Sequence, residues 1–395
     1  GNTGDLINMR GYFQNALVHS REVHDQIGEF DTFMAQGYVY LIQGEITEAE
    51  SLFASAEDSA VGINNTHERA LAEYAFSQLF IQKVEDPNRN SDVNNITNSV
   101  DKVFCIQTEL IISPFIGTAN NSLVIEDCPC PEFACVNQVY CYNVSAYDPD
   151  GDSLSYELVP CRGEGCLEMI IPAIYQWPED IGGGEMSIDP VTGTLCWDSP
   201  GVLGEYNIAI KISEYRNGFY VGSVIQDMQF TVVTCANPPP VIEELADTCV
   251  FAGSILNITV EGSDSANGVT VSATGAVFHL PENPAIFIED TGTPDATGVF
   301  MWNPGCADAS DTYYNINFHA KNNHPTEQLS DLSQFRIKVN LPPIENLTVN
   351  PAGNTMLLDW DPSPCDGIVS YNIYRSIDSS LVSEECCDKG APANM

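Results

Sequence analysis

The sequence predicts a mainly β, multidomain protein in which tandem β-sandwiches follow a short α-helical region. Three observations lead there. From Val103 onward, apolar and polar residues alternate between turn signals that recur about every 8–12 residues. Residues 135–158 align with 249–273, and 193–218 with 298–323, which sets Trp197 and Trp302 about 100 residues, one sandwich length, apart. Residues 1–84, in contrast, carry helical rather than alternating periodicity.

In the helical region, GYVYLIQGEITEAESLFASA (37–56) spaces Gly37, Gly44, Ala49 and Ala56 so that two antiparallel helices can approach closely. Tyr40 and Phe53 fill the gap between them. Tyr74, in ERALAEYAFSQLF, follows Tyr40 at the ~34-residue period of tetratricopeptide repeats, which this region resembles. GYFQNALVHSREV (11–23) reads as the second helix of a preceding unit. An unrelated helical hairpin is the plainer alternative. Fewer than three units are present, so the region reads as the end of an array or as one that needs a neighbour.

At Val84 the register changes. Residues 85–120 begin polar and Asn-rich, then lead through the alternating VFCIQTELII into the sandwiches. Pro-rich CANPPPVIEE and NLPPIENL punctuate the rest and delimit a first sandwich over 121–236 and a second over 237–341. Residues 342–395 follow a third pattern, with a Trp strand at Trp360, a Pro turn and then YNIY.

Composition narrows the functional classes. With 55 acidic and 14 basic residues the formal net charge is -41. Such a surface repels nucleic acid and anionic membranes, attracts cations, and keeps the protein soluble. No apolar run reaches the ~18 residues of a membrane span. The chain opens on Gly1 without an initiator Met or a signal peptide, which fits a processed chain or a piece of a longer one.

Fourteen cysteines lack the recurring CxxC pairs and nearby histidines of zinc sites. They point to disulfides, and so to a secreted, extracellular or cell-surface location. Their spacing predicts that Cys161–Cys166 closes a local loop and that Cys249–Cys306 joins strands of the second repeat. It also suggests that Cys365 pairs with Cys386 or Cys387.

The residues YDPDGDSLSYEL (147–158) hold the sharpest chemical signal, and two readings stand. Asp-Pro-Asp-Gly is a turn in which Asp148 caps, Pro149 fixes φ and Gly151 takes the position that needs φ > 0. Alternatively Asp148, Asp150 and Asp152 offer oxygens to Ca2+, which takes 6–8 oxygen ligands, the further ones coming from Glu157, Asp189 or a neighbouring domain. The spacing is not that of an EF-hand, and the second repeat keeps only Asp264 and Asn267 of the motif.

AYDPDGDSLSYEL, MSIDPVTGTLCWDSP and GEYNIAIKISEYRNG together resemble the Ig-like sandwiches of dystroglycan-type cadherin-like modules. Over residues 85–245 the chain resembles gliding-motility-associated surface proteins exported by type IX secretion. Residues 342–375 are similar to the start of a fibronectin type III domain, and 342–395 are too few for a whole one of about 90–100 residues. Two departures matter: helices precede the β region, and the secretion-signal domain of that family is missing. In Asp-Ser-apolar triplets, Ser59, Ser153 and Ser265 resemble O-glycosylation sites of such bacteria.

No enzyme is predicted. His67-Glu68 lacks the second His of a zinc helix, with Leu71 in its place, and no nucleophile motif or phosphate loop is present. The reading is a secreted structural or adhesive protein, part of a surface filament or a gliding adhesin. Self-association, or contact with other surface proteins, is expected. The alternatives are calcium-dependent modules that bind a polysaccharide or a partner, and accessory modules of a larger secreted hydrolase.

Overall fold

The computed structural model describes residues 16–21, 26–42, 46–62, 79–86, 89–111, 120–126, 132–325 and 328–366. The chain is mainly β, with short helices near its start. It forms two compact units. One comprises residues 1–125, 147–194 and 204–231; the other comprises 126–146, 195–203 and 232–395. The stretch 121–236 therefore contributes to both.

In the first unit, helices α1 (Gln26–Ile42) and α2 (Ile46–Gly62) pack together. Gly37 makes this possible: a Cβ there would lie 2.4 Å from the Phe53 ring. Phe30, Phe53, Ala49 and Ala56 are buried. Tyr12 and the predicted helix around Tyr74 lie outside the described residues. The helical stretch predicted to run to residue 84 ends sooner, because Leu79–Asp86 is strand β1. So short a segment carries either periodicity, and pairing with β2 (Phe104–Ile111) decides it, Leu79 opposite Ile111 and Asp86 opposite Phe104.

Three more strands continue this six-stranded sheet, β3 (Ser153–Val159), β4 (Gly204–Arg216) and β5 (Phe219–Val233), in the order β1-β2-β5-β4-β3, and the strand Glu132–Cys135 pairs with β5 off this path. Asn217 (φ 53°) and Gly218 (φ 81°) turn β4 into β5, the positive-φ pair that a two-residue hairpin requires. The two central strands are buried along most of their length. They also carry buried polar residues, and a side chain from the Asn-rich loop holds the Asn207 backbone. The Asn207 N–H donates to Asn95 Oδ1 at 2.9 Å, and its carbonyl accepts from Asn95 Nδ2 at 2.8 Å. The Asn95 side chain of the Asn-rich loop thus gives the Asn207 backbone strand-like hydrogen bonds.

In the second unit, two sheets enclose one core. The first orders β6 (Val241–Ile242), β8 (Leu256–Ser263), β12 (Asp295–Trp302) and β10 (Ile286–Ile288). The second orders β7 (Thr248–Phe251), β14 (Ser330–Asn340), β13 (Tyr314–Asn322), β9 (Val269–Thr274) and β11 (Asp290–Gly292). Phe300, Trp302, Phe318 and Phe335 fill the space between them. The Trp302 indole N–H donates to the Asn283 carbonyl at 2.9 Å, so its one polar atom is satisfied. A hairpin of β15 (Thr348–Ala352) and β16 (Thr355–Asp359) follows, with Val349, Met356 and Leu357 exposed.

The disulfides are real but differently connected. Cys105–Cys166, Cys135–Cys235, Cys141–Cys196 and Cys306–Cys365 are bonded, and Cys249 is also disulfide-bonded. The predicted Cys161–Cys166 loop is not formed. Gly163 N–H donates to the Leu167 carbonyl and Met169 N–H to that of Cys161, and this local ladder frees Cys166 to reach Cys105. Cys161 stays a buried free thiol. Cys249 does not join Cys306, whose partner is Cys365, and this takes Cys365 away from Cys386 and Cys387. Cys386 and Cys387 lie outside the described residues.

Candidate functional site

The Asp148–Asp152 turn forms as its composition dictates. Gly151 N–H donates to the Asp148 carbonyl at 3.2 Å, and Gly151 has φ 81°. Asp148 Oδ1 accepts the backbone N–H groups of Asp150 (2.8 Å) and Asp152 (3.0 Å). Carboxylate oxygens of Asp148, Asp150 and Asp152 come within 4.8 Å of one another. The other oxygen of Asp148, Oδ2, is shielded from solvent and has no hydrogen-bond partner.

Four residues that the sequence reading did not assign to this turn complete the cluster. Glu214 and Arg216 stand two apart on β4 and so share one face of the sheet. Arg216 holds Asp152 with Nε at 2.9 Å and Nη2 at 2.7 Å, and reaches Asp150 Oδ2 at 3.0 Å and Asn120 Oδ1 at 2.8 Å. Asn121 binds Asp150 twice, through its backbone N–H (2.7 Å) and its side-chain amide (2.8 Å). Glu214 accepts the Leu123 N–H at 2.6 Å and the Asn120 amide at 2.9 Å. The only advance signal for Glu214 was an acid set inside the apolar run of IAIKISEYR.

Electrostatics sort these carboxyls. Burial pushes Glu214 up to about 7, against the two donors it accepts. Burial also raises Asp148, although backbone N–H groups oppose it. For Asp150 burial acts upward too, but Asn121 and the Arg216 guanidinium outweigh it and hold the group below its ordinary value. Arg216 itself is raised, chiefly by its hydrogen bond to Asp152.

The donor set fits a hard, oxygen-seeking cation, and the orphaned Asp148 oxygen is where such an ion would find a ligand. Arg216 already supplies positive charge to Asp150 and Asp152, so an ion would compete with it. Glu157 and Asp189 are not brought to the cluster. Glu157 pairs across the strands with Lys211 at 3.5 Å, and Asp189 Oδ1 caps its own turn by accepting from Val191 and Thr192. In the second repeat, Asp264 Oδ1 likewise accepts from Ala266 and Asn267.

Of the three serines in Asp-Ser-apolar triplets, Ser59 lies within α2 and donates to the Ser55 carbonyl. Ser153 is exposed and donates to the Tyr215 carbonyl, and Ser265 is exposed. A second cluster lies deeper in the same unit. Arg89 and Asp227 form an ion pair with neither side chain exposed, and the Cys161 thiol donates to Asp227 Oδ1 at 3.6 Å. Burial pushes the thiol well up, so it stays protonated and is poorly reactive.

No protein family matches the chain, and no curated protein is similar to it in sequence. Solved structures that it resembles include cadherin-like domains 1 to 4 of zebrafish RET (12% identity, TM-score 0.20, covering 54% of this chain and 47% of that one). Others are Drosophila N-cadherin EC1-3 (12%, 0.23, 66% and 89%) and the sialic acid binding region of a Streptococcus sanguinis SK1 adhesin (11%, 0.22, 57% and 79%). This chain spans about half the length of the zebrafish protein it matches. At such TM-scores, none of these likenesses carries weight for what this chain does.

Proposed function

We propose that this chain is part of an extracellular surface protein whose disulfide-stapled β-sandwiches serve as structural and adhesive units. The disulfides carry this reading: such bonds persist in oxidising compartments, where they brace modules against mechanical and proteolytic stress. The strongly acidic composition adds to it by keeping copies soluble outside the cell. The finer reading, a gliding adhesin or filament subunit exported by type IX secretion, is supported by the sequence resemblance over residues 85–245.

The test is made in cells that produce the protein. External protease should remove an epitope tag from intact cells, and deletion of the protein should abolish attachment to a surface. A tag protected inside the cell, on a chain whose thiols are all reduced, would refute the reading.

A specific observation favours a second, compatible reading: calcium binding at Asp148, Asp150 and Asp152, with Glu214 nearby. That observation is the shielded, unpartnered Asp148 Oδ2. If calcium displaces Arg216, calorimetry should show tighter binding in Arg216→Gln than in the natural sequence, and weaker binding in Asp150→Ala. An absence of heat in both the natural protein and Arg216→Gln returns the motif to a plain turn.

A further inference from the structure

The chain contains two Asn-Gly pairs, Asn217–Gly218 and Asn267–Gly268, and the fold treats them oppositely. In such a pair the backbone nitrogen of the glycine can close a five-membered ring onto the asparagine Cγ, and no Cβ on the glycine hinders it. Closure requires the peptide unit between the two residues to rotate. That freedom is set by the structure.

Asn217–Gly218 is the whole connection between β4 and β5. Asn217, Gly218 and the next residue, Phe219, are all exposed. A Cβ at Gly218 would meet nothing within 4 Å, so open space surrounds the unit that has to turn. Asn217 stands at φ 53°, in the left-handed region that costs an L residue free energy, so its own backbone does not resist leaving that conformation.

Asn267–Gly268, at the entry to β9, is clamped. The Asn267 N–H donates to Asp264 Oδ1 at 2.7 Å, and the Gly268 carbonyl accepts the Asn323 N–H at 2.8 Å. The next residue, Val269, is buried and pairs with Gly292 on one side and Asn322 on the other. A Cβ at Gly268 would lie 2.8 Å from Thr293 Oγ1 and 3.1 Å from the Gly292 carbonyl oxygen. This peptide unit turns only if the packing around it opens.

We infer that Asn217 is a site of spontaneous covalent modification, conversion to aspartate and isoaspartate, and that Asn267 is protected from it. The Gly218 nitrogen attacks Asn217 Cγ. The N–Cγ bond forms, the Cγ–Nδ2 bond breaks, and Nδ2 leaves as ammonia with the proton given up by the Gly218 nitrogen. Water then opens the cyclic imide. Its oxygen adds to Cγ, giving aspartate, or to the backbone carbonyl carbon, giving isoaspartate, and a water proton returns to the Gly218 nitrogen. Either product places a new carboxylate next to Arg216. Isoaspartate also adds a main-chain carbon to a two-residue connection, and the length of that connection sets the hairpin register.

The test incubates the folded chain in heavy-oxygen water at neutral pH and follows both peptides by mass spectrometry. A second sample is unfolded in urea with its disulfides reduced. Each conversion takes up solvent oxygen, which marks it. In the folded chain Asn217 should convert roughly tenfold or more faster than Asn267, as where one site reacts in the native state and the other only after local opening. In urea the two rates should agree within about twofold, because both pairs are then free.

Equal or faster conversion at Asn267 in the folded chain overturns the inference. So does a folded chain in which neither residue converts while both convert in urea. Labelled aspartate at Asn217 without isoaspartate would mean direct hydrolysis of the side-chain amide, and would overturn the part given to Gly218.

Discussion

Arg89 and Asp227 lie 138 residues apart and form an ion pair from which water is fully excluded. Arg89 Nη1 donates to Asp227 Oδ1 at 3.1 Å, its Nη2 also reaches Asp227, and Nε donates to the Val103 carbonyl at 3.1 Å. The guanidinium lies over the Phe104 ring, 5.1 Å from its centroid. Breaking a buried pair from one side strands a charge. Asp227→Asn should therefore cost on the order of 3–5 kcal/mol, and the paired Arg89→Met, Asp227→Leu exchange clearly less. Urea midpoints of the three proteins check this. Equal losses in the single and double variants would mean that the pair contributes only shape.

The disulfide map makes a prediction that the spacing of cysteines alone gets wrong. Non-reducing peptide mapping should link Cys105 to Cys166 and Cys306 to Cys365, with Cys161 alkylated only after unfolding. Cys105 and Cys166 close a long loop, so replacing both by Ala should cost about 4 kcal/mol on the chain-entropy estimate. A Cys161–Cys166 peptide would overturn the connectivity.

What the sequence conveys here is mostly local. The Asp148–Asp152 turn is legible because Asp-Pro-Asp-Gly encodes its own backbone and hydrogen bonds within five residues. Trp302 marks the sandwich of the second unit because a buried aromatic on an alternating strand is a property of the local strand pattern. Glu214, Arg216, Asn120 and Asn121 are not legible. They meet the turn only after the sheet is assembled, and nothing in SEYRNG distinguishes a site strand from an ordinary hairpin. The same limit explains the cysteines. Proximity in sequence favours Cys161–Cys166, whereas the backbone ladder across that loop directs Cys166 to Cys105. It explains β1 as well, where pairing with β2 overrides an ambiguous local pattern.

The elevated Glu214 carboxyl sets a pH dependence whose sign follows from proton counting. Its ordinary value is 4.5, and burial pushes it up to about 7 in the folded protein. Between those values the folded chain holds a proton that the unfolded chain has lost, so stability falls as pH rises through that window. The contribution is on the order of 3 kcal/mol across the whole window. Urea unfolding at pH 5 and pH 8 should show the natural protein more stable at pH 5 and Glu214→Gln with a flatter profile. An unchanged slope in that variant would remove Glu214 as the source.

Gly222 ties this carboxyl to the sheet. It pairs with Leu110 on β2, and a Cβ there would lie 2.6 Å from Glu214 Oε2 and 2.8 Å from the Glu109 carbonyl oxygen. The first contact can yield by moving a side chain; the second is backbone and cannot. Gly222→Ala should therefore cost about 1–3 kcal/mol and drive Glu214 off the Leu123 N–H, which faster hydrogen exchange at that amide would report. Shortening the acid in Glu214→Ala relieves only the side-chain contact. The double variant should then be about 1 kcal/mol more stable than the sum of the single effects implies. Strict additivity would mean that the Glu109 carbonyl alone excludes a side chain at position 222. The carboxylate would then owe its position to Asn120 and Leu123, with no part played by the missing methyl.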